Sequence, residues 1–181
     1  MDQPKRTAPS ILSPAQAIEA AQNLISELNL ADLPQGSLLA NPKVKPQIAL
    51  LLRDDADPTE GRSYSYIVTY AIENDRDQSG APLVRICILL NGTDGSFEEI
   101  TTFNTPVTYL SADDAISVVL SALQLPTDRA KDAAATLVFQ PCEISRVRAY
   151  PFWEVVLDGH THYVDQRRKL YRDLSPGKGG S

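Results

Sequence analysis

Two β-rich runs separated only by Asp158-Gly159 constrain the fold of this chain more than any other feature. Asp-Gly in this setting is the signature of a two-residue type I′ turn, whose central residues need positive φ angles. The turn predicts a hairpin over residues 152–165 in which Leu157 lies opposite His160. Because side chains alternate along a strand, one face of this hairpin should carry Trp153, Val155, Leu157, His160, His162 and Val164.

Two amphipathic helices are predicted, and each begins at a serine. Ser13 is a good N-cap, and Pro14 occupies the first helical position, where its missing N–H costs nothing. Apolar residues then recur at three- and four-residue spacing as far as residue 30. A similar passage starts at Ser111 and stops at Leu125-Pro126. Each helix should bury one apolar stripe of its own.

β-rich runs follow each helix. Those after the first helix cover 64–72, 83–90 and 97–103, and those after the second cover 136–139 (with an extension as far as 148), 152–157, 160–165 and 169–172. A short helix over 127–135 is also expected. Residues 48–53 could form a strand or a buried helical turn, because periodicity cannot decide so short a run. Residues 54–61 read as an exposed acidic loop.

The predicted fold class is therefore α+β, with a helix packed on an antiparallel β-meander. The chain divides into an N-terminal half at 11–109 and a C-terminal half at 110–174, flanked by disordered ends at 1–10 and 175–181. If the halves are a tandem repeat, they either share one continuous sheet or face each other across a cleft.

The C-terminal half resembles a PepSY-type domain. The resemblance lies in a capped helix, a meander, a strand that reads Trp-Glu-Val from Trp153, an Asp-Gly turn and a strand that reads Tyr-Val-Asp from Tyr163. It covers residues 110–174, while residues 12–103 match only by analogy, as a degenerate repeat. The resemblance implies a binding or inhibitory module and supplies no catalytic residues.

The charge of the chain is unevenly distributed. The formal net charge is −6, with −9 in residues 1–143 and +3 in residues 144–181. An acidic body argues against general nucleic-acid binding, which needs a basic face. No apolar run approaches the roughly 18–20 residues that cross a bilayer, and no leader segment is visible. We therefore expect a cytoplasmic protein that binds neither nucleic acid nor membrane.

The sequence contains no catalytic signature. Neither a Gly-x-Ser-x-Gly elbow nor a glycine-rich phosphate loop occurs. Cys87 and Cys142 are too few for a disulfide framework in a chain of this length, and we expect both to be structural. The expectation is a protein that is not an enzyme and has no cofactor.

The two histidines are the candidates for a metal site. His160 and His162 should share one strand face, so that both imidazoles could bind one ion. Their predicted neighbours are apolar and supply no third ligand, which favours exposed or cross-strand packing. Residues 75–80 begin like a calcium-binding loop, but Ile86 stands at the position of the bidentate glutamate, so we expect a polar hairpin loop.

A cluster of basic and aromatic residues near the C-terminus is the most function-like feature. Arginine beside Trp and Tyr is typical of protein-interface hot spots. The sequence thus predicts a non-catalytic adaptor, monomeric or homodimeric, whose protein partner contacts Arg146, Arg148, Trp153, Tyr163, Arg167, Arg168, Lys169 and Tyr171. The alternative is a small-molecule-binding protein or cryptic enzyme that uses a groove between the two halves.

Overall fold

A computed structural model describes residues 10–55 and 63–174, and these residues form one eight-stranded sheet with helices on both faces. The fold is α+β, as predicted. The strand order is β4-β3-β2-β1-β5-β6-β7-β8. The predicted disordered ends and most of the predicted acidic loop lie outside the described residues.

The two predicted helices are present, and their caps explain where they begin. α1 spans Pro14–Glu27, and the Ser13 side chain accepts a hydrogen bond from the Gln16 N–H while Gln16 reaches back to Ser13. α2 spans Ala112–Ala122 and is capped by the Ser111 hydroxyl. A serine cap satisfies N–H groups that the first helical turn leaves unpaired.

The N-terminal half is a helix followed by a four-stranded meander. Two short 3-10 helices, Leu30–Asp32 and Pro34–Ala40, follow α1. The strands are β1 (Val44–Asp54), β2 (Ser63–Arg76), β3 (Pro82–Asn91) and β4 (Phe97–Val107), and each pairs with the next in antiparallel fashion. The run that periodicity left open, 48–53, is thus part of a strand.

The C-terminal half repeats this order. A 3-10 helix, Thr127–Asp132, lies where a short helix was expected, and the strands are β5 (Ala134–Phe139), β6 (Phe152–Leu157), β7 (His160–Asp165) and β8 (Leu170–Tyr171). Leu157 lies opposite His160, and Asp158 and Gly159 have φ angles of 52° and 76°, so the predicted hairpin is confirmed. β5 ends at Phe139 instead of extending towards residue 148, because residues 140–150 leave the sheet.

The sheet is covered on opposite faces by the two helices. α1 packs on alternate residues of β2 and β3, such as Val68 and Ile88. The intervening residues, such as Ile67 and Leu89, belong to a second cluster that contains α2 and extends to Trp153. β2 and β3 are therefore buried on both faces, which explains why their sequences read as apolar runs rather than as alternating patterns.

The two halves have matching topology. Each runs from a helix into four antiparallel strands that step outwards from the middle of the sheet, and the two middle strands, β1 and β5, are parallel. The helices lie on opposite faces of the sheet. A 180° rotation about an axis that runs between β1 and β5, parallel to both, would therefore place each element of one half on its counterpart in the other half. The halves share one continuous sheet, which is the first of the two predicted arrangements.

The seam between the halves is narrow. β1 and β5 pair only at Arg53 with Val138 and at Asp54 with Phe139. The Arg53 guanidinium donates to Asp55 at 2.7 Å and reaches across β5 to Glu154 on β6 at 3.0 Å. Its side chain is 13% exposed. The bond to Asp55 is the largest influence on the pKa of Arg53, which is raised despite burial.

We expect Arg53→Gln to lower the free energy of unfolding by about 2 kcal/mol, because the substitution leaves two half-buried carboxylates without their cation. Urea denaturation monitored by circular dichroism measures this loss. The matched control is Arg85→Gln, since Arg85 pairs with Asp75 in a more exposed bridge within the N-terminal half and should lose less than about 1 kcal/mol. Equal losses in the two variants would show that the seam does not depend on Arg53.

Candidate binding groove at the C-terminal turn

Asp165, at the end of β7, organises the turn that carries most of the predicted basic residues. Its carboxylate accepts hydrogen bonds from the N–H groups of Arg167 (2.9 Å) and Lys169 (2.8 Å) and from the Tyr171 hydroxyl (3.1 Å). Two backbone hydrogen bonds close the same turn: the Asp165 N–H donates to the Lys169 carbonyl at 3.0 Å, and the Arg168 N–H donates to the Asp165 carbonyl at 3.0 Å. This bonding holds residues 166–169 in one conformation.

Gln166 fixes the turn to the rest of the fold. Its side-chain oxygen accepts from the Leu110 N–H at 2.9 Å, and its amide nitrogen donates to the Pro151 carbonyl at 3.0 Å. The turn is thereby tied to the start of α2 and to the start of β6. Such a turn can present side chains without losing much conformational entropy when a ligand binds.

A groove of about 520 Å³ lies between this turn and the irregular segment 140–150. Ile144 and Tyr150 form one wall, and Arg167, Lys169 and Tyr171 form the other. Phe152 lies at the base, with its ring at 88° to that of Tyr171 and 6.1 Å away. We call this feature the basic groove, and it brings together three residues of the predicted partner-binding set.

Neither Arg167 nor Lys169 forms a salt bridge within the described part of the chain. The Lys169 ammonium instead lies 5.2 Å from the centre of the Tyr171 ring. Burial, and then Asp165, raise the pKa of the Tyr171 hydroxyl to about 12, so it remains a neutral donor to the carboxylate.

Trp153 and Arg148 lie outside the basic groove. Trp153 is 8% exposed in the core beneath α2, where its indole N–H donates to the Leu110 carbonyl at 3.0 Å. It lies on the opposite face of β6 from Phe152, so it cannot contribute to the same surface. Arg148 is half-buried and forms ion pairs with Glu98 at 2.7 Å and Glu99 at 3.6 Å, which fasten segment 140–150 to β4.

The other predicted partner-binding residues are also separate. Tyr163 is half-buried and lies 3.5 Å from Glu154, in the cluster around Arg53. Arg168 is exposed, has a φ angle of 65° and pairs with Asp114 at 2.9 Å. Arg146 is exposed on segment 140–150.

The two histidines lie near each other on β7. His160 is exposed and His162 is half-buried beside it, with Arg172 near both. Within residues 10–55 and 63–174, no group of three or more His, Cys, Asp or Glu side chains could hold a metal ion.

Both cysteines are buried and free. Burial raises the pKa of the Cys87 thiol to about 12, so at neutral pH it holds its proton. Cys142 packs with Phe152 and Leu174 in a small apolar cluster behind the groove. Both cysteines therefore contribute to the packing of apolar clusters.

Comparisons with known proteins do not assign the chain to a family. The sequence matches no protein-family model, and no curated protein is significantly similar to it. Of the helices that the structure describes, none combines the length and the apolar character that a bilayer crossing requires. The PepSY-type resemblance therefore stays a prediction.

We expect both thiols to be unreactive towards Ellman's reagent in the native state, even at pH 9, where an ordinary thiol with a pKa of about 8.5 is largely ionised. Two thiols per chain should react rapidly in guanidinium chloride, which serves as the control. One equivalent reacting rapidly in native buffer would identify an accessible thiol and reopen a nucleophilic role for it.

Proposed function

We propose that this protein is a non-catalytic binding module that engages an acidic segment of a protein partner in the basic groove. The observation that carries the proposal is a hydrogen-bonded turn that presents Arg167 and Lys169, neither of which forms an ion pair with a described residue, beside the exposed side chain of Ile144. A peptide with carboxylates next to an apolar side chain complements both properties.

Electrostatics favours an acidic ligand. The Asp165 carboxylate is occupied by three donors from its own turn, so Arg167 and Lys169 remain available to an incoming carboxylate. The rest of the chain is acidic, which would repel an acidic segment elsewhere and confine its attraction to this end. Complementary charges of this kind give specificity and a rapid association rate.

An apolar contact would supply affinity. Ile144 is 47% exposed, and the half-buried Tyr150 continues the apolar surface into the groove. Burying one aliphatic side chain of a ligand against such a surface contributes about 1.5–3 kcal/mol. Arginine and tyrosine beside it are the residue types most enriched at interface hot spots.

The structure of the C-terminal half supports the hypothesis that the protein is PepSY-like. α2 packs on a meander whose strands carry Trp-Glu-Val and Tyr-Val-Asp at the expected register. The same topology in the N-terminal half supports a tandem repeat. A cytoplasmic location and a monomeric or homodimeric state complete the proposal.

The alternative function, binding of a small molecule between the halves, has one specific observation in its favour. A second depression, of about 480 Å³, lies between the β2–β3 loop and the turn at 166–168. Asp77, Ser79, Asp114 and Arg168 give it a polar lining. A metabolite that raises Tm, with the effect lost in Arg168→Gln, would favour this alternative.

A random peptide library tests the acidic-segment proposal. We expect enriched peptides to combine two or more acidic residues with a neighbouring aliphatic one. Arg167→Glu/Lys169→Glu should weaken their binding at least about tenfold, or 1.4 kcal/mol, as measured by fluorescence anisotropy. Ile144→Ser should also weaken binding, with little effect on Tm because the side chain is exposed.

Lys43→Glu/Lys45→Glu is the matched control, because it changes net charge equally on exposed residues of the N-terminal half. Its peptide affinity should remain within about twofold of the original protein, since it removes no groove contact. Enrichment of neutral or basic peptides would overturn the proposal, as would equal losses in both double variants.

A further inference from the structure

A separate depression of about 420 Å³ lies at the start of β7, beside the C-terminal end of α2. His160, His162 and Arg172 converge on it, and the remaining lining residues include Leu123 and Leu170. Among the described residues, no carboxylate belongs to this lining. Three nitrogen-bearing side chains thus face one concave site that none of these residues supplies with an acidic group.

The sheet edge adds a backbone donor to the same site. In a two-residue hairpin the pair that flanks the turn, Leu157 with His160, is hydrogen-bonded, so the next residue, Thr161, turns its N–H away from β6. β8 pairs with β7 only at Tyr163 and Val164. Within the described residues, no strand lies beside Thr161 on that edge, and Thr161 lines the depression.

The His162 imidazole has an unused polar atom. Its Nδ1 is buried and has no hydrogen-bond partner among the described residues. Burial, and then the adjacent His160 and Arg172, lower the pKa of His162. A buried nitrogen without a partner is costly, and an oxyanion near the ring would favour its protonated form.

The surrounding charges favour an anion over a metal ion. Arg172 repels a cation, and two imidazoles alone fall short of the three protein ligands usual for zinc. Three carbonyls in the last turn of α2, those of Val119, Leu120 and Ser121, accept from the N–H groups of Leu123, Leu125 and Gln124, which reduces the negative charge at the helix terminus. Asp158 at the hairpin turn is held at 2.7 Å by Arg129, and Asp173 lies outside the lining.

We propose that His160, His162, Arg172 and the Thr161 N–H form a binding site for a phosphate-type oxyanion, either free or esterified. The site is distinct from the basic groove and does not depend on its function. Because the anion binds best when the imidazoles carry protons, affinity rises as the pH falls from 7.5 to 5.5.

Proton NMR tests this site directly, because the chain has only two histidines. Sulfate is the first probe, since its charge is constant over this pH range. In sulfate, relative to sodium chloride at equal ionic strength, the pKa of the His162 imidazole should rise by about 0.5 or more, and the ring-proton signals of both histidines should shift. Arg172→Gln should weaken sulfate binding at least about fivefold, whereas Arg146→Gln, outside the site, should leave it unchanged.

Inorganic phosphate and glycerol phosphate then distinguish the source of the anion, since tighter binding of the ester indicates an esterified ligand. An equal His162 pKa in sulfate and chloride would overturn the site, as would equal sulfate affinity in the two arginine variants. Nickel binding to both histidines without any sulfate response would overturn it in favour of a metal. Matching Tm values for the two variants verify that both are folded.

Discussion

The parallel contact between β1 and β5 is the constraint on which the rest of the structure depends. Only two residue pairs join the strands there, yet the largest apolar cluster continues across the seam from Leu52 to Leu137 and Trp153. Arg53 adds a bridge to Glu154, and Arg148 fastens segment 140–150 back onto β4. Segment 140–150 of the C-terminal half thereby covers part of the N-terminal meander, and the Tyr150 ring packs edge-on against Phe103 of β4.

Local signals in the sequence predicted the elements of the fold but not their arrangement. The serine caps and the Asp158-Gly159 turn involve neighbours in the chain, so the sequence alone defines α1, α2 and the β6–β7 hairpin. The placement of β1 beside β5 joins distant residues, and no local pattern reports it. The run 136–139 was predicted to extend as far as residue 148, whereas residues 140–150 leave the sheet and pack as an irregular cover.

Part of the candidate site was predicted from the sequence. The alternation of side chains between the two faces of a strand explains why Trp153 does not belong to it. Arg167, Lys169 and Tyr171 are close in sequence, and the structure keeps them together around Asp165. Trp153 alternates onto the opposite face of β6 and is covered by α2, which composition cannot reveal. Ile144 was missed because it approaches the turn only through the tertiary path of segment 140–150. The Asp165 turn had a readable signal, since aspartate often accepts from N–H groups two residues onward.

The topology also places much of the loop-closure entropy cost of folding in one step, the pairing of β1 with β5. Within each half, strands pair with sequence neighbours, so the loops that must close are short. The Arg53–Glu154 contact joins residues 101 apart, and closing a longer loop costs more chain entropy. Each meander can therefore form early at a small cost in chain entropy, whereas the β1–β5 contact can form only after both meanders exist. Until then the edges of β1 and β5 stand open, which makes their meeting the aggregation-sensitive moment of folding.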